Sequence, residues 1–310
     1  MKVLFVASGN KGKINSLIKA QAESLEKVGI EIDFFLIKGK GIIGYLKNVS
    51  RLRRQLKGKH YQIVHAHYSF CGYVATLAGT RNLVVSLMGS DIKSNVILQF
   101  STQIFARLFW KATIVKSKKM REDVQIKNAF VIPNGVNLNQ FVQIYQPDAQ
   151  RNLKWDTSKV HLLFAANPKR KEKNFALLEG ALKGIDASEI SLHTLQDVPF
   201  SEMNMLYNAC DGVLLSSLWE GSPNVIKEAM ACNKPVVCTD VGDVKENFGS
   251  VSGCFISGFE VDDYADKIQQ LLEFINNKKQ VNGLERIKEL EISSNKIAEK
   301  ILKIYQLAEK

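Results

Sequence analysis

Short apolar runs alternate with longer amphipathic stretches along almost the whole of this 310-residue chain. The runs have the length of buried strands, and the stretches between them repeat apolar residues with the period of a helix. The predicted strands are residues 2–7, 31–37, 61–65, 82–87, 112–116, 129–132, 160–166, 190–195, 212–216, 235–239 and 252–256. The predicted helices are residues 14–28, 44–57, 71–79, 119–126, 174–183, 202–209, 222–232, 261–277 and 293–309. Strands that alternate with helices indicate parallel sheets, and therefore an α/β fold.

The alternation is interrupted at residues 142–158, which contain Pro147, Asp148, Asn152 and Asp156. We place a domain boundary there, because a chain of this length ordinarily forms two domains. The predicted domains are residues 1–145 and 158–292, and a final helix occupies residues 293–310.

Residues 219–231 form the most informative run, Trp-Glu-Gly-Ser-Pro-Asn-Val-Ile-Lys-Glu-Ala-Met-Ala. It reads as a turn feeding a helix, with Ser222 as the N-cap and Pro223 at the first helical position. The free N–H groups at such a helix start can hold a phosphate. Glu220 precedes this position and Glu228 lies about 7.5 Å further down the helix, so two carboxylates would flank a diphosphate pocket. The alternative is that both glutamates are surface residues that suit the helix dipole.

The flanking segments place this run at the edge of a sheet. Residues 209–217 read as a helix end, a turn and a buried strand, and residues 234–243 read as another strand that ends in a glycine-containing turn. Ligands of open α/β sheets bind at the carboxyl ends of the strands. The order of sugar, diphosphate and ribose in a nucleotide sugar matches the order of the candidate groups.

The segment from Tyr207 to Asp243 resembles the retaining glycosyltransferases of family 4, which have the GT-B fold. Weaker similarity at the opening strand with its glycine-bearing loop, at residues 88–91 and at 131–137 extends over nearly the whole chain. The resemblance implies two Rossmann-like parallel-sheet domains facing a cleft, the first binding the acceptor and the second the nucleotide sugar. It also implies that the last helix crosses back to the first domain. The implied activity is transfer of a sugar from a UDP- or GDP-linked donor with the anomeric configuration kept, and with no other cofactor.

The resemblance also assigns roles in the second domain. Glu220 would face the donor sugar as a catalytic residue, and Glu228 would hold the ribose. Lys173 would neutralise the leaving diphosphate, whereas Asn167 stands where the family has an arginine that Lys169 or Arg170 could replace. The remaining donor-binding residues are expected at the helix start: Gly221, Ser222, Pro223, Asn224 and Val225. The alternative for residues 169–173 is an ordinary solvated loop.

In the first domain, the resemblance points to the loop after the opening strand and to residue 91. Gly9 would approach the donor phosphates, and Asn10, Gly12 and Asp91 would contribute to the acceptor site. Tight strand-to-helix geometry alone could also explain both glycines. The family commonly has a histidine where this chain has Met88.

Two histidines at a neighbouring strand end could replace that missing group. His65 and His67 are the candidates, and His67 is assigned to the acceptor. The alternative is that both are merely hydrogen-bonded locally.

Positive charge is concentrated in the first half of the chain. Residues 1–150 hold 22 Lys and Arg against 8 Asp and Glu, a net of +14, whereas the rest has a net of −3. This imbalance predicts an anionic partner. The helix expected within residues 38–59 is either a core-facing helix with a solvated basic face or a surface for anionic lipid headgroups. Tyr45 is its one aromatic residue, which argues against stacking on nucleic-acid bases.

Composition narrows the class of protein further. No apolar run approaches the roughly 18 residues that span a bilayer, and the opening run is too short for a signal peptide. Five cysteines show no metal-ligand spacing, and no D-x-D motif is present. We therefore expect a metal-independent enzyme in the cytoplasm, peripheral at the inner membrane face, with a lipid-linked or polysaccharide-precursor acceptor. The alternatives are a sugar-nucleotide epimerase or phosphorylase, or a non-catalytic protein that binds lipid or nucleic acid.

Overall fold

The computed structural model of the chain describes residues 1–9, 12, 14–89, 96–127, 129–185, 188–196 and 198–310. Two compact units divide it: Met1–Gly135 together with Ser294–Lys310, and Val136–Ser293. The predictions for Asn10 and Asp91 lie outside the described residues.

The first unit is built on a parallel sheet of six strands in its described part, in the order β2-β1-β3-β4-β5-β6. The strands are β1 (Lys2–Ser8), β2 (Glu31–Ile37), β3 (Ile63–His67), β4 (Leu83–Ser86), β5 (Ala112–Val115) and β6 (Ala129–Val131). The helices are α1 (Ser16–Glu26), α2 (Gly41–Leu46), α3 (Val49–Gly58), α4 (Ser69–Leu77), α5 (Val96–Leu108), α6 (Lys118–Val124) and α14 (Ser294–Glu309). The strand order changes direction between β1 and β3: β2 lies on one side of β1, and β3 to β6 follow on the other. Ligands bind at this switch point in such sheets.

The second unit repeats this topology with five strands among its described residues, in the order β11-β10-β9-β7-β8. The strands are β7 (Val160–Phe164), β8 (Ile190–Thr194), β9 (Gly212–Leu215), β10 (Val236–Thr239) and β11 (Cys254–Ser257). The helices are α7 (Gln146–Leu153), α8 (Phe175–Leu182), α9 (Met203–Ala209), α10 (Asn224–Ala231), α11 (Val244–Phe248), α12 (Val261–Asn276) and α13 (Gly283–Glu289). Here the switch point lies between β7 and β9. Strand β9 is buried along its whole length and β7 from His161 onward, as expected for strands covered on two faces.

The division of the chain falls earlier than the boundary predicted at residues 142–158. Residues 136–145 belong to the second unit, because their backbone is bonded to α9: the Ile144 N–H donates to Asn208 at 2.8 Å, and the Asn208 amide donates to the Val142 carbonyl at 2.9 Å. Pro147 and Asp148, which broke the predicted pattern, lie in the first turn of α7. Proline is tolerated at that position, so the interruption marks a helix start and not a linker.

The helix predicted at residues 44–57 is two helices, α2 and α3, separated at Asn48. The Asn48 side chain is buried and donates to the carbonyls of Lys38 and Gly44 at 2.9 and 2.7 Å. Its amide oxygen accepts from the Lys38 N–H at 3.2 Å. An asparagine that bonds local backbone in this way competes with a continuous helix.

Four helices in the described residues have no counterpart in the prediction: α5, α7, α11 and α13. Two of them, α11 and α13, are shorter than eight residues and give too little periodicity to detect. The third, α7, lies in the segment predicted to be the domain boundary. Helix α5 exposes most of its apolar residues, although Ala106 is buried and Phe105 packs against the core.

The last helix, α14, is part of the first unit. It lies against α1 and the strands β3 and β4. The Tyr305 hydroxyl and the His65 Nδ1 are 2.6 Å apart, so one of the two donates a hydrogen bond to the other. This buried contact ties the end of the chain to the centre of the first sheet.

Candidate active site

Two loops of the second unit meet where its sheet changes direction. The loop after β7 ends in a short 3-10 turn, Lys171–Lys173, and the loop after β9 carries Glu220. The Lys173 ammonium donates to the Glu220 carboxylate, forming an ion pair. The Ser217 hydroxyl donates to the same carboxylate oxygen at 2.8 Å. The structure thus brings together the two residues that the sequence assigns to catalysis.

Backbone contacts hold these two loops in register. The Leu218 N–H donates to the Glu172 carbonyl at 2.9 Å, and the Ser216 hydroxyl donates to the Lys173 carbonyl at 2.9 Å. The Thr239 hydroxyl, at the end of β10, donates to the Ser217 carbonyl at 2.7 Å. Three strand ends therefore fix the position of the pair.

The pair is nearly buried but not sealed. The Lys173 and Glu220 side chains are 11% and 19% exposed, respectively. Opposite charges removed from water in this way depend on each other, because either one alone would carry a desolvation cost. The remaining exposure leaves both groups within reach of a bound molecule.

The helix α10 begins two residues later than predicted. Pro223 is at the N-cap position, and Ser222 does not cap the helix. Instead, the Ser222 hydroxyl donates to the Asp243 carboxylate and accepts from the Lys227 ammonium, both at 2.7 Å. Because Lys227 is fully buried, it needs an oxygen partner inside the protein, and Ser222 supplies it.

The buried Lys227 and Asp243 influence each other electrostatically. Burial lowers the pKa of the Lys227 ammonium and raises the pKa of the Asp243 carboxyl, while the attraction between their charges opposes both shifts. This network fixes the turn before α10, since the Ser222 hydroxyl in that turn is bonded to both Asp243 and Lys227.

The start of α10 has backbone N–H groups without a partner inside the helix. It also lies where the backbone at Gly242 closely approaches the backbone at Gly221. A Cβ on Gly242 would lie 3.0 Å from the Gly221 carbonyl oxygen, so glycine is required there, and its φ of +61° agrees. The Asn224 side-chain oxygen is buried and meets no donor among the described residues. Asn224 and Val225 are half-buried and begin the helix, so their N–H groups point out of its first turn.

Glu228 lies inside the second unit and is only 4% exposed. The hydroxyl of the buried Tyr207 donates to its carboxylate at 2.9 Å. Burial raises the pKa of Glu228 to about 7, although the Tyr207 hydrogen bond and the Lys227 charge both lower it. The carboxyl therefore titrates near neutral pH.

The other two donor-binding candidates in the loop after β7, Asn167 and Arg170, are half-buried and exposed, respectively. The Arg170 guanidinium donates twice to the Glu172 carboxylate, at 2.8 and 2.5 Å. The Asn167 side-chain oxygen accepts from the Lys169 N–H at 2.9 Å and so shapes the turn. The structure therefore places Lys173, and neither of these residues, against Glu220.

In the first unit, glycine is needed at positions 9 and 12 for different structural reasons. A Cβ on Gly9 would lie 2.8 Å from the Leu36 Cβ, so the end of β1 needs glycine to lie beside β2. Gly12 has a φ of +74° with open space around it, and its N–H donates to the Gly9 carbonyl at 2.9 Å. Each glycine is thus explained by the turn itself.

The two candidate histidines differ in their contacts. The prediction that both stand at a strand end is wrong for His65, which lies inside β3 and is bonded to both Tyr305 and Ser86. His67 ends the strand, and both of its ring nitrogens are buried without a hydrogen-bond partner among the described residues. Burial, aided by the Lys116 charge, lowers the pKa of His67 to about 3, so its ring is neutral.

Four residues of the site in the second unit were not predicted from the sequence: Ser217, Tyr207, Lys227 and Asp243. Lys227 lies between the apolar residues Ile226 and Ala229, but Glu228 follows it directly, so the local pattern does not mark it as buried. A lysine fully buried on such a helix requires a polar partner, which the sequence alone does not locate.

Two features are absent from the described residues. No group of three His, Cys, Asp or Glu side chains could hold a metal ion. No described helix has both the length and the apolar content to cross a membrane.

Two family models match the chain over segments that overlap at residues 131–140. Residues 6–140 match Glycosyltransferase Family 4, and residues 131–273 match Glycosyl transferases group 1. Together they cover most of both structural units.

Individual proteins show the same similarity. A D-inositol 3-phosphate glycosyltransferase of Arthrobacter sp. (strain FB24) is 23% identical and aligns with 86% of this chain and 83% of its own length. An N,N'-diacetylbacillosaminyl-diphospho-undecaprenol alpha-1,3-N-acetylgalactosaminyltransferase of Campylobacter jejuni is 26% identical, over 55% of this chain and 52% of that protein. The crystal structure of Anabaena Alr3699/HepE in complex with UDP-glucose superposes with a TM-score of 0.76 at 16% identity, covering 98% of both chains. At that identity, the superposition shows a shared fold.

Proposed function

We propose that this chain, which belongs to the GT-B glycosyltransferases by its family 4 and group 1 domains, transfers a sugar from a nucleotide-sugar donor with retention of the anomeric configuration. The observation that carries the proposal is the pair of Lys173 and Glu220 at the switch point of the second sheet. A reacting nucleotide sugar gains negative charge on its diphosphate and positive charge on its sugar. The pair offers one group of opposite sign to each part.

Lys173 is the group suited to the leaving diphosphate. Its charge is fixed in a partly dry site, where it stabilises a developing anion more strongly than it would in water. The free N–H groups of Asn224 and Val225 supply further positive potential at the start of α10. We therefore propose that no divalent cation takes part, because these groups provide the charge that a metal would otherwise supply.

Glu220 is the group suited to the donor sugar. As the bond between the anomeric carbon and the diphosphate oxygen breaks, the sugar becomes cationic, and a nearby carboxylate stabilises it. In the proposed front-side reaction, the acceptor oxygen bonds to the anomeric carbon on the face that the diphosphate leaves. The acceptor proton passes to a diphosphate oxygen, and the nucleoside diphosphate departs. No side-chain nucleophile is then required.

Glu228 is proposed to hold the ribose. Its carboxylate would accept hydrogen bonds from two hydroxyl groups, with Tyr207 fixing its orientation from within the fold. This role needs the ionised form, which a pKa of about 7 makes dependent on pH. The complex of Alr3699/HepE with UDP-glucose supports a donor of this class on the same fold.

The acceptor is proposed to carry phosphate and to be lipid-linked or part of a polysaccharide precursor. The names of both relatives contain a phosphorylated acceptor, inositol 3-phosphate in one and a diphospho-undecaprenol in the other. The first unit, with Ser294–Lys310 included, holds 26 Lys and Arg against 9 Asp and Glu, a net of +17. Such a charge suits an acceptor phosphate and the anionic cytoplasmic face of a membrane, where we propose that the chain works.

Two arginines of the predicted membrane contact at residues 38–59 are bonded to the protein itself. Arg51 donates to the Leu36 carbonyl and lies 4.4 Å over the Phe35 ring, and Arg53 donates to the Leu77 carbonyl at 2.6 Å. Both stabilise the fold, so replacing them would not test lipid binding alone. The exposed apolar residues of α2, Ile42 and Ile43, remain suited to lipid contact.

The test of the proposed function is a transfer assay with a panel of UDP- and GDP-sugars and a polyprenyl-diphosphate-linked saccharide. The anomeric configuration of the product is read by NMR from its one-bond C1–H1 coupling. We expect the configuration of the donor, with turnover unchanged after EDTA treatment. A product of inverted configuration would overturn retention, and reversible loss of turnover in EDTA would overturn metal independence. Donor consumption without a glycosidic product would favour an epimerase or a phosphorylase.

A further inference from the structure

Helix α5 exposes its apolar side chains to solvent. Phe100, Ile104 and Leu108 recur at the spacing of one helical face and are 63%, 38% and 69% exposed. Val96 and Ile97, in the first turn, are 80% and 77% exposed. Exposed apolar groups that form a contiguous face mark an interaction site, whereas scattered ones need no explanation.

The uncharged polar residues of α5 bond to the protein, whereas Arg107 is exposed. The Gln99 side chain donates to the Asp123 carbonyl, and the Gln103 side chain donates to the Val124 carbonyl at 2.9 Å. The Tyr73 hydroxyl is 2.9 Å from the Ser101 hydroxyl and 2.7 Å from that of Thr102. These hydrogen bonds, together with Ala106 in the core and Phe105 packed against it, fix the helix to the first unit, while a second set of apolar side chains faces outward.

A basic cavity adjoins the end of this helix. It has a volume of about 410 Å³, and its charged lining residues are Arg107, Lys111 and Lys127. Trp110 forms part of its wall. No acidic side chain lines it among the described residues, so it offers positive charge to an anion beside the apolar face.

We propose that α5 is a membrane-contact helix, with its apolar face in the acyl region of an anionic bilayer and a lipid phosphate in the cavity of Arg107, Lys111 and Lys127. The proposal deepens the membrane part of the proposed function and rests on it. Thirteen residues make a helix about 20 Å long, too short to span a bilayer but suited to lie in its interface.

A bilayer fits this surface better than a second copy of the chain. The first unit has a net charge of +17, so two copies meeting through α5 would bring like charges together. Anionic lipid instead neutralises that charge, and each basic residue near the surface adds to the attraction. Burying exposed apolar side chains adds a contribution that salt does not screen.

The first experiment measures binding of the purified chain to vesicles of phosphatidylglycerol and phosphatidylcholine by co-sedimentation. The variant Phe100→Ser/Leu108→Ser should partition about tenfold more weakly or worse, because two apolar side chains no longer enter the bilayer. The control, Leu307→Ser, alters a residue of α14 that is 58% exposed, and it should bind like the unchanged chain. Circular dichroism checks that each variant is folded.

The second experiment isolates the cavity from net charge. Arg107→Gln/Lys111→Gln/Lys127→Gln should remove most of the dependence on phosphatidylglycerol content. Its control, Lys27→Gln/Lys303→Gln/Lys310→Gln, removes three exposed charges from the same unit and should retain most of that dependence. Equal losses in the two triple variants would overturn the cavity as a headgroup site.

A third measurement reports insertion directly. Phe100→Cys carrying an NBD fluorophore should shift to the blue when anionic vesicles are added. Four native cysteines are buried and Cys254 is half-buried, so labelling of the unsubstituted chain gives the background. An unshifted spectrum, or undiminished binding by Phe100→Ser/Leu108→Ser, would overturn the proposal. So would a dimer of the unchanged chain that this variant dissociates. Vesicle binding requires no sugar transfer, so these failures are distinguishable from failure of the enzyme assay.

Discussion

At the scale of single residues, the buried charges of the candidate active site each have a partner of opposite charge or a bridging hydroxyl. Lys173 and Glu220 neutralise each other, and Lys227 and Asp243 share the Ser222 hydroxyl. Removing one partner of such a pair leaves an uncompensated buried charge. Kinetic effects must therefore be measured beside stability, and the expected pattern differs from residue to residue.

Glu220 and Glu228 should fail in different ways. Glu220→Ala should lower kcat, because the sugar carries positive charge mainly in the transition state. Glu228→Ala should mainly weaken donor binding, because ribose contacts are alike in ground and transition states. Steady-state kinetics separate the two effects, with Glu246→Ala on the exposed face of α11 as the control. Equal, small changes of kcat and KM in both variants would count decisively against the site.

Lys173→Ala should cost about 2–4 kcal/mol of transition-state stabilisation, because the charge opposite the leaving diphosphate is lost. The matched control is Lys171→Ala, two residues away on the same 3-10 turn but exposed. The measured quantity is kcat/KM for the donor. Similar losses in the two variants would show that the loop matters and the Lys173 ammonium does not.

Glu228 should make both donor binding and stability depend on pH. Donor affinity should rise between pH 6 and 8 as the carboxyl ionises, and Glu228→Gln should lack this rise. The folded protein binds the proton up to pH of about 7, whereas an unfolded chain releases it near its ordinary pKa of 4.5. Burial of this group therefore lowers the free energy of unfolding as pH rises through that window, by an order of 3 kcal/mol. Urea titrations of the unchanged chain and of Glu228→Gln should diverge accordingly, and parallel pH profiles would contradict the assignment.

The role of a residue could be predicted where a sequence motif marks it, but not where it depends on a tertiary contact. The Glu220 and Lys173 roles follow from the resemblance of short segments to the family, and the structure brings the two residues together across 47 residues. Tyr207 and Asp243 act on Glu228 and Lys227 through space, and no spacing in the sequence reveals that. His65 was misplaced because β3 starts two residues later than predicted, which moves this histidine from the strand end into the interior.

At the scale of elements, strands were predictable and helix limits were less so. Each predicted strand has its counterpart, because buried parallel strands are continuous apolar runs between turns. Helix α5 was missed since apolar residues occupy more than one of its faces: Phe100 and Leu108 are exposed, while Phe105 and Ala106 pack against the core. The split between α2 and α3 was missed since the apolar residues keep a helical period across it. The hydrogen bonds of one buried asparagine nevertheless end the first helix there.

That asparagine gives a prediction for the element it shapes. Asn48→Ala should lower the free energy of unfolding by about 1–3 kcal/mol, because it leaves the Lys38 N–H and two carbonyls without their partner. Urea denaturation measures the change, and Asn295→Ala on the exposed face of α14 is the control. A loss no larger than that of the control would show that α2 and α3 are held apart by packing alone.

At the scale of the whole molecule, the two units carry opposite net charges. The first has a net of +17, and Val136–Ser293 holds 16 Lys and Arg against 22 Asp and Glu, a net of −6. The positive unit suits phosphorylated acceptors and an anionic membrane, while the donor depends on a few fixed cations in a unit that is otherwise acidic. The division of charge therefore matches the division of labour proposed for the two domains.

The most direct test of the central claim is release of nucleoside diphosphate from a panel of UDP- and GDP-sugars in the presence of a lipid-linked saccharide. The unchanged chain and Lys171→Ala should release nucleotide from at least one donor at the same rate. Lys173→Ala should release it about 30-fold more slowly or worse. If every donor remained intact with the unchanged chain, or if Lys173→Ala released nucleotide at the unchanged rate, the proposed transfer at the Lys173–Glu220 site would be contradicted.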